Sequence, residues 1–133
     1  MEGNTPIILR ESDFRILKRY VAKMPPNEST ESILLYWDLR SAIVVEDEIL
    51  PENCVRLNST VKVKEWASNQ IMEFSIVTPE LANSEKRRIS FLDPLGAAFI
   101  GLCKMEKIER EIYGNTKCFK ILDVRHPTNQ VKI

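Results

Sequence analysis

The chain is poor in the residues from which small catalytic sites are usually built. Among its 133 residues there is one histidine, His126, and there are four glycines. A single histidine gives a Ser-His-Asp or Cys-His arrangement only one candidate base, and no stretch resembles a nucleophile elbow. His126 lies between Arg125 and Pro127 near the C-terminal end and reads as a solvated residue rather than a general base. Four glycines supply no glycine-rich loop that could cradle a phosphate. The three cysteines, Cys54, Cys103 and Cys118, are an odd number without CxxC spacing. They read as small hydrophobes in a reducing cytoplasm, and argue against a disulfide framework and a zinc site. Net charge is also lacking, with 19 basic and 19 acidic residues. Such a chain has no global field with which to grip a nucleic-acid backbone unaided. No apolar run approaches the roughly 18 residues of a membrane span, and the first residues, Met1-Glu2-Gly3-Asn4, carry no basic leader region. The expectation is therefore a cytoplasmic protein with no membrane contact, no metal, no cofactor and no small-molecule ligand.

What the chain has is a globular share of hydrophobic residues, 44%, arranged in two different periodicities. In the first third the period is helical. Ser12 sits where an N-cap belongs, Asp13 suits the positive end of a helix dipole, and Phe14, Leu17, Val21 and Met24 form one stripe. Pro25 and Pro26 stop that helix. A second stripe, Ser32, Leu35, Leu39 and Ala42, follows a turn in which Ser29 or Thr30 can cap and Glu31 enters the first turn. Two helices of this kind make a short antiparallel hairpin, each arm spanning about 18 Å by helical rise. Glu28 and Glu31 lie at its tip.

An acidic junction, Glu46-Asp47-Glu48, separates residues 1–48, the hairpin, from residues 49–133, where the period changes to two. Val55, Leu57, Val61 and Val63 alternate with polar residues. A second strand over Ile71 to Val77 ends at Thr78-Pro79, and a third is Ile89 to Leu92. Asp93-Pro94 then opens a small apolar helix, Leu95 to Leu102, with Asp as cap and Pro at the first position. A hairpin turns at Tyr113-Gly114-Asn115-Thr116, and Phe119 to Val124 is the last strand. The fold class is α+β, with a mostly antiparallel sheet and one packed helix. Lys86-Arg87-Arg88 is the one basic run and reads as a solvated approach to a strand, with an electrostatic partner contact as the functional alternative. Trp37 and Trp66 read as hairpin packing and a partly covered strand end.

The stretch from Ile89 to Gly101, strand, Ser-Phe-Leu-Asp-Pro, then small residues and a glycine, is similar to the C-terminal-domain signature of the Gre transcript-cleavage factors. Pro94-Leu95-Gly96-Ala97-Ala98 with Gly101-Leu102 looks closer to a relative within that family, the regulator of nucleoside diphosphate kinase. Pro51 to Val61, Thr78-Pro79, Gly114 and Ile121-Leu122-Asp123-Val124 agree with that relative, as do Ile7-Ile8-Leu9 and Asp38 to Ala42. The resemblance implies an FKBP-like C-terminal domain that docks on RNA polymerase at the rim of the secondary channel. It puts the docking contact on Asp93, Pro94, Leu95, Gly96 and Ala97. It also implies a regulator of transcription elongation that is not an enzyme and meets nucleic acid only through the polymerase. The family's Gly-Asp pair after the helix is Met105-Glu106 here, so a turn built for positive φ must be altered or strained. Gre factors hold a metal in the polymerase with two carboxylates at the tip of a longer coil. Glu28 and Glu31 have a similar spacing, but first-turn acids are expected for the dipole, and the arm is short. The chain is thus expected to occupy the channel mouth and compete with longer-armed factors, without strong cleavage stimulation. The alternatives are a peptidyl-prolyl isomerase-like or other protein-binding module, and an indirect effect on nucleotide metabolism.

Overall fold

A computed structural model describes residues 6–23 and 38–127. Met24, Ser32 and Leu35 of the second helical stripe, Trp37 and the tip residues Glu28 and Glu31 lie outside the described residues. The described chain begins with a short strand, β1 (Ile8–Arg10), that runs directly into helix α1 (Glu11–Ala22). Residues 38–40 are again helical, and β2 (Ile43–Val45) pairs in parallel with β1, Leu9 opposite Val44.

The helical stripe is where the sequence places it, with Leu17 fully buried and Phe14 and Val21 packed on the core. The N-terminus is built differently from expectation. Arg10, not Ser12, is the capping position, and its side chain makes no cap. Instead Ser12 donates its N–H to one oxygen of Asp47 and its hydroxyl to the other, at 3.1 and 2.7 Å. A carboxylate 35 residues away thereby satisfies an orphan N–H of the first turn, and the serine holds Asp47 below the usual carboxylate range.

Asp13 departs furthest from its expected role. It is 1% exposed. The Arg10 guanidinium grips it with two hydrogen bonds, at 2.7 and 3.1 Å, and the Leu57 N–H donates to it at 3.2 Å. A residue chosen by pattern as a dipole-facing acid is in fact the polar tie between α1 and the chain leading into the main sheet.

That sheet has five strands in the order β5-β4-β3-β7-β6: β3 (Thr60–Glu65), β4 (Ile71–Val77), β5 (Arg88–Ser90), β6 (Lys107–Ile112) and β7 (Asn115–Arg125). Only the β4–β5 pair is parallel. Alternation along the strands puts Val61, Val63, Ile76, Phe119 and Ile121 on the buried face, packed in one cluster with Phe91 and Phe99. Phe99 meets Phe119 edge to face, 5.3 Å between centroids. Ile7, Leu9, Leu17 and Leu39 belong to the same cluster. Among the described residues no helix is long and apolar enough to cross a membrane.

Three boundaries move. Val55 and Leu57 are buried as expected but are not part of β3. Asn58 turns through a positive φ of 75°, and the Ser59 N–H closes back on the Arg56 carbonyl. Strand β5 stops at Ser90 because that side chain accepts the Leu92 N–H and starts a turn. The packed helix, α2 (Pro94–Phe99), is six residues long and ends where Ile100 turns extended.

The cysteine reading is overturned. Cys54 and Cys103 face each other across an isolated antiparallel bridge, with Cα atoms 3.9 Å apart, and form a disulfide. They are 49 residues apart in the chain, so no spacing could announce the pair. Cys118 is free and exposed. The cysteines therefore carry no argument for a reducing compartment.

The substituted turn after α2 behaves as expected. Met105 adopts φ 77° with its side chain exposed, tied down by its N–H to the Ile121 carbonyl at 2.7 Å. Met105→Gly removes a left-handed strain of about 1 kcal/mol and should raise the midpoint of thermal unfolding, read by circular dichroism. Asp13→Ala should have the opposite sign and a larger size, about 3 kcal/mol in denaturant unfolding, because it strands the Arg10 charge and the Leu57 N–H.

Candidate functional site

The residues singled out by the signature form a rigid knuckle at the end of β5. Phe91 donates its N–H to Val77 at 2.9 Å and so anchors the strand end in the sheet. The Asp93 N–H then turns back on the Ser90 carbonyl at 3.0 Å. Asp93 caps α2 as expected: its Oδ1 accepts the Leu95 N–H at 3.0 Å, and Pro94 fills the first helical position with φ preset. Gly96 is needed for close approach. A Cβ there would lie 2.2 Å from the Ser90 carbonyl oxygen, so the helix rests directly on the strand end. Asp93, Pro94, Leu95 and Ala97 are half-buried and Gly96 is buried.

One residue of this knuckle comes from elsewhere in the chain. The β6–β7 turn is Tyr113-Gly114, with φ of 51° and 86°, as a two-residue hairpin with both central residues left-handed requires. Glycine suits this backbone and tyrosine does not. The tyrosine hydroxyl donates to the Asp93 carboxylate, 2.9 Å from Oδ1 and 3.1 Å from Oδ2, while the residue stays 68% exposed. Tyrosine at a position that favours Asn or Asp was the only sign of this in the sequence, and the sign reads equally as an ordinary turn.

The arrangement changes what the knuckle offers. A helix start can present free N–H groups to a partner. In the structure the Leu95 N–H is already held by Asp93, and α2 is short. A carboxylate and a phenol therefore reach the surface, held in place by the cap, the proline and the glycine contact. Such a face complements a basic or hydrogen-bond-donating partner.

The other candidates lie apart from it. Lys86 ends a one-turn helix capped by Asn83, which accepts N–H bonds from Glu85 and Lys86 at 3.1 and 3.3 Å. Arg87 adopts φ 56° and Arg88 opens β5, all three being exposed. Trp66 is exposed at the end of β3, with Lys64 and Lys107 ammonium groups 5.6 and 5.2 Å from its ring centroid.

His126 is not the solvated residue its position suggests. Its Nε2 lies 2.6 Å from the Glu52 carbonyl oxygen and its Nδ1 2.8 Å from Ser59 Oγ. The carbonyl can only accept, so Nε2 carries the proton and Nδ1 accepts from the serine, which itself accepts the Arg56 N–H at 2.9 Å. Burial, first, and the charges of Arg56 and Arg10 push the imidazole below its ordinary value, against the pull of Glu52. A group with a depressed folded-state value favours folding fully above its unfolded value near 6.5 and less as pH falls below it. Thermal stability should therefore fall from pH 7.5 to 5.5, with a shallower slope in His126→Gln, measured in matched buffers.

The family described as "Transcription elongation factor, GreA/GreB, C-term" matches residues 50–126, an interval that contains the knuckle, Tyr113 and His126. Transcription elongation factor GreA of Lachnoclostridium phytofermentans is 37% identical over 83 residues, 62% of this chain and 51% of that protein. GreA of Clostridium botulinum is 31% identical over 87 residues, 65% of this chain and 54% of that protein. The chain spans about half the length of the curated relatives it matches. The solved structure "Prokaryotic transcription elongation factor GreA/GreB from Nitrosomonas europaea" superposes with a TM-score of 0.76 at 25% identity, covering 92% of this chain and 100% of that one. With the match running over the whole main sheet, α2 and the knuckle between them, the chain belongs to the GreA/GreB family of transcription elongation factors through its C-terminal domain.

Proposed function

We propose that this chain docks on RNA polymerase through the Asp93–Ala97 knuckle, with Tyr113 beside it, and regulates elongation from the rim of the secondary channel. The observation that carries this reading is the Tyr113–Asp93 pair. An exposed ring spends its hydroxyl on fixing a capping carboxylate at the position where the family signature puts the docking contact. A half-buried, pre-positioned acid beside an exposed aromatic is a sound interface anchor, because little side-chain entropy is lost when a partner arrives.

The remainder of the reading concerns reach. Helix α1 has 12 residues, a rise of about 18 Å. An arm of that length supports a factor that sits in the channel mouth and competes with longer-armed relatives rather than one that delivers Glu28 and Glu31 to the catalytic metal. Within the family this favours kinship with the regulator of nucleoside diphosphate kinase type, a hairpin over residues 1–48 joined to an FKBP-like domain over 49–133. The protein so read is a cytoplasmic binding factor, with nucleic acid approached only through the polymerase.

Binding to core RNA polymerase tests the proposal. Asp93→Asn keeps a good helix cap but removes the charge, and Tyr113→Phe removes the bond that aims it. Each should weaken a saturable, micromolar interaction by about tenfold, or 1.4 kcal/mol, with unfolding midpoints little changed. Wild-type protein that fails to saturate at micromolar polymerase sinks the reading. Unaltered binding by both variants moves the contact away from the knuckle.

A further inference from the structure

The solvent-side face of the main sheet carries a row of four polar residues, one from each of four neighbouring strands. Arg125 of β7 pairs with Thr60 of β3, Thr60 with Ser75 of β4, and Ser75 with Arg88 of β5. Paired residues point to the same side of a sheet. Their neighbours Val61, Phe74, Ile76 and Val124 are buried on the other side, so this row faces away from the core. At the usual strand spacing the two arginine Cα atoms are about 14 Å apart, with two hydroxyls between them.

Over this row lies a cavity of about 570 Å³, walled by Leu81 and by His126 and Pro127. Its lining holds two arginines, hydroxyls and an asparagine, and no carboxylate. Thr60 Oγ1 and Ser75 Oγ are 2.7 Å apart, so one hydroxyl proton is spent between them and the other remains to donate. Arg125 is steadied by Glu73 and by Asp123, at 3.9 Å, neither of which lines the cavity. Among the described residues the Arg88 guanidinium makes no ion pair. A cationic fork with no ion pair among the described residues, facing a second arginine across one free hydroxyl donor, matches an anion with oxygens on several sides. Phosphate has that shape, and arginine meets it with two parallel hydrogen bonds. The cavity exceeds what a bare phosphate fills and falls within the range of small-ligand sites. Val77 and Leu81 give the excess volume an apolar side.

We propose that the Arg125–Thr60–Ser75–Arg88 row is a binding site for a phosphorylated small molecule, its phosphate held between the two arginines and its organic part against Val77 and Leu81. The site departs from the expectation of no ligand, and it is independent of polymerase docking, since it shares no residue with the Asp93–Ala97 knuckle.

The test is a titration of the full chain, isotope-labelled for amide NMR, with inorganic phosphate, pyrophosphate and adenosine 5′-monophosphate at constant ionic strength. Saturable shifts centred on Thr60, Ser75 and Arg88 at millimolar or lower concentration are expected, tightest for the monophosphate. Arg88→Gln should weaken binding about tenfold and Arg88→Lys by less, because lysine keeps charge but loses the fork. Arg88 is exposed, and the variant's own spectrum checks its fold. The proposal is overturned if none of the three probes saturates. It is overturned equally if Arg88→Gln binds like the wild type, or if a single-stranded RNA oligonucleotide binds this face while the small phosphates do not.

Discussion

The buried carboxylate of Asp13 is the contact on which the rest of the molecule depends. It accepts from Arg10 just before α1 and from the Leu57 backbone just before β3. The first partner ends β1 at the start of the N-terminal helix, and the second belongs to the lead into the main sheet. A carboxylate with 1% exposure persists only when its lone pairs are taken up, so α1 is confined to the orientation in which all three hydrogen bonds form. The hydrophobic contacts of Ile7, Leu9 and Leu17 add attraction but little direction, because apolar burial is indifferent to small rotations. In the proposed function, where an arm points relative to a docking face, this directional tie matters more than its share of stability.

The same device recurs at smaller scale: a side chain from a distant segment completes a local element that its own residues leave unfinished. Asp47 supplies the acceptor that the start of α1 lacks. Tyr113 orients the cap of α2 from the β6–β7 turn, and His126 ties the end of β7 to Glu52 and Ser59. Each bond joins segments far apart in the chain, so each costs loop closure as well as side-chain order. Their common effect is to hold together a domain in which, among the described residues, only α1 and β7 exceed seven residues.

The two faces of the sheet divide the work. Phe91, Phe99 and Phe119 fill the covered face and leave no room for chemistry. The uncovered face keeps its arginines and hydroxyls in register because strand pairing, unlike a loop, places side chains at fixed spacing. The knuckle at the end of β5 is positioned by the same pairing, since Val77 bonds the Phe91 N–H one step beyond the β4–β5 ladder. Both candidate sites thus rest on β4 and β5, with the knuckle at the strand end and the polar row on the exposed face.

Local chemistry alone determined much of this protein. Alternating valines and isoleucines produced β3, β4 and β7, Asp93-Pro94 started α2, and Met105, in place of the family's glycine, left a turn with positive φ. These features depend on neighbours within a few residues, where periodicity, capping and allowed φ act directly. The signature around Asp93 was legible for the same reason. Tertiary structure alone decided the partners of Asp13, Ser12, Tyr113 and His126, the pairing of Cys54 with Cys103, and the row from Arg125 to Arg88. Apart from Arg10, which lies one turn before Asp13, these partners are far apart in the chain, and a one-residue change of register would send every side chain of a strand to the opposite face. Such contacts exist only once the chain has closed its loops and chosen that register.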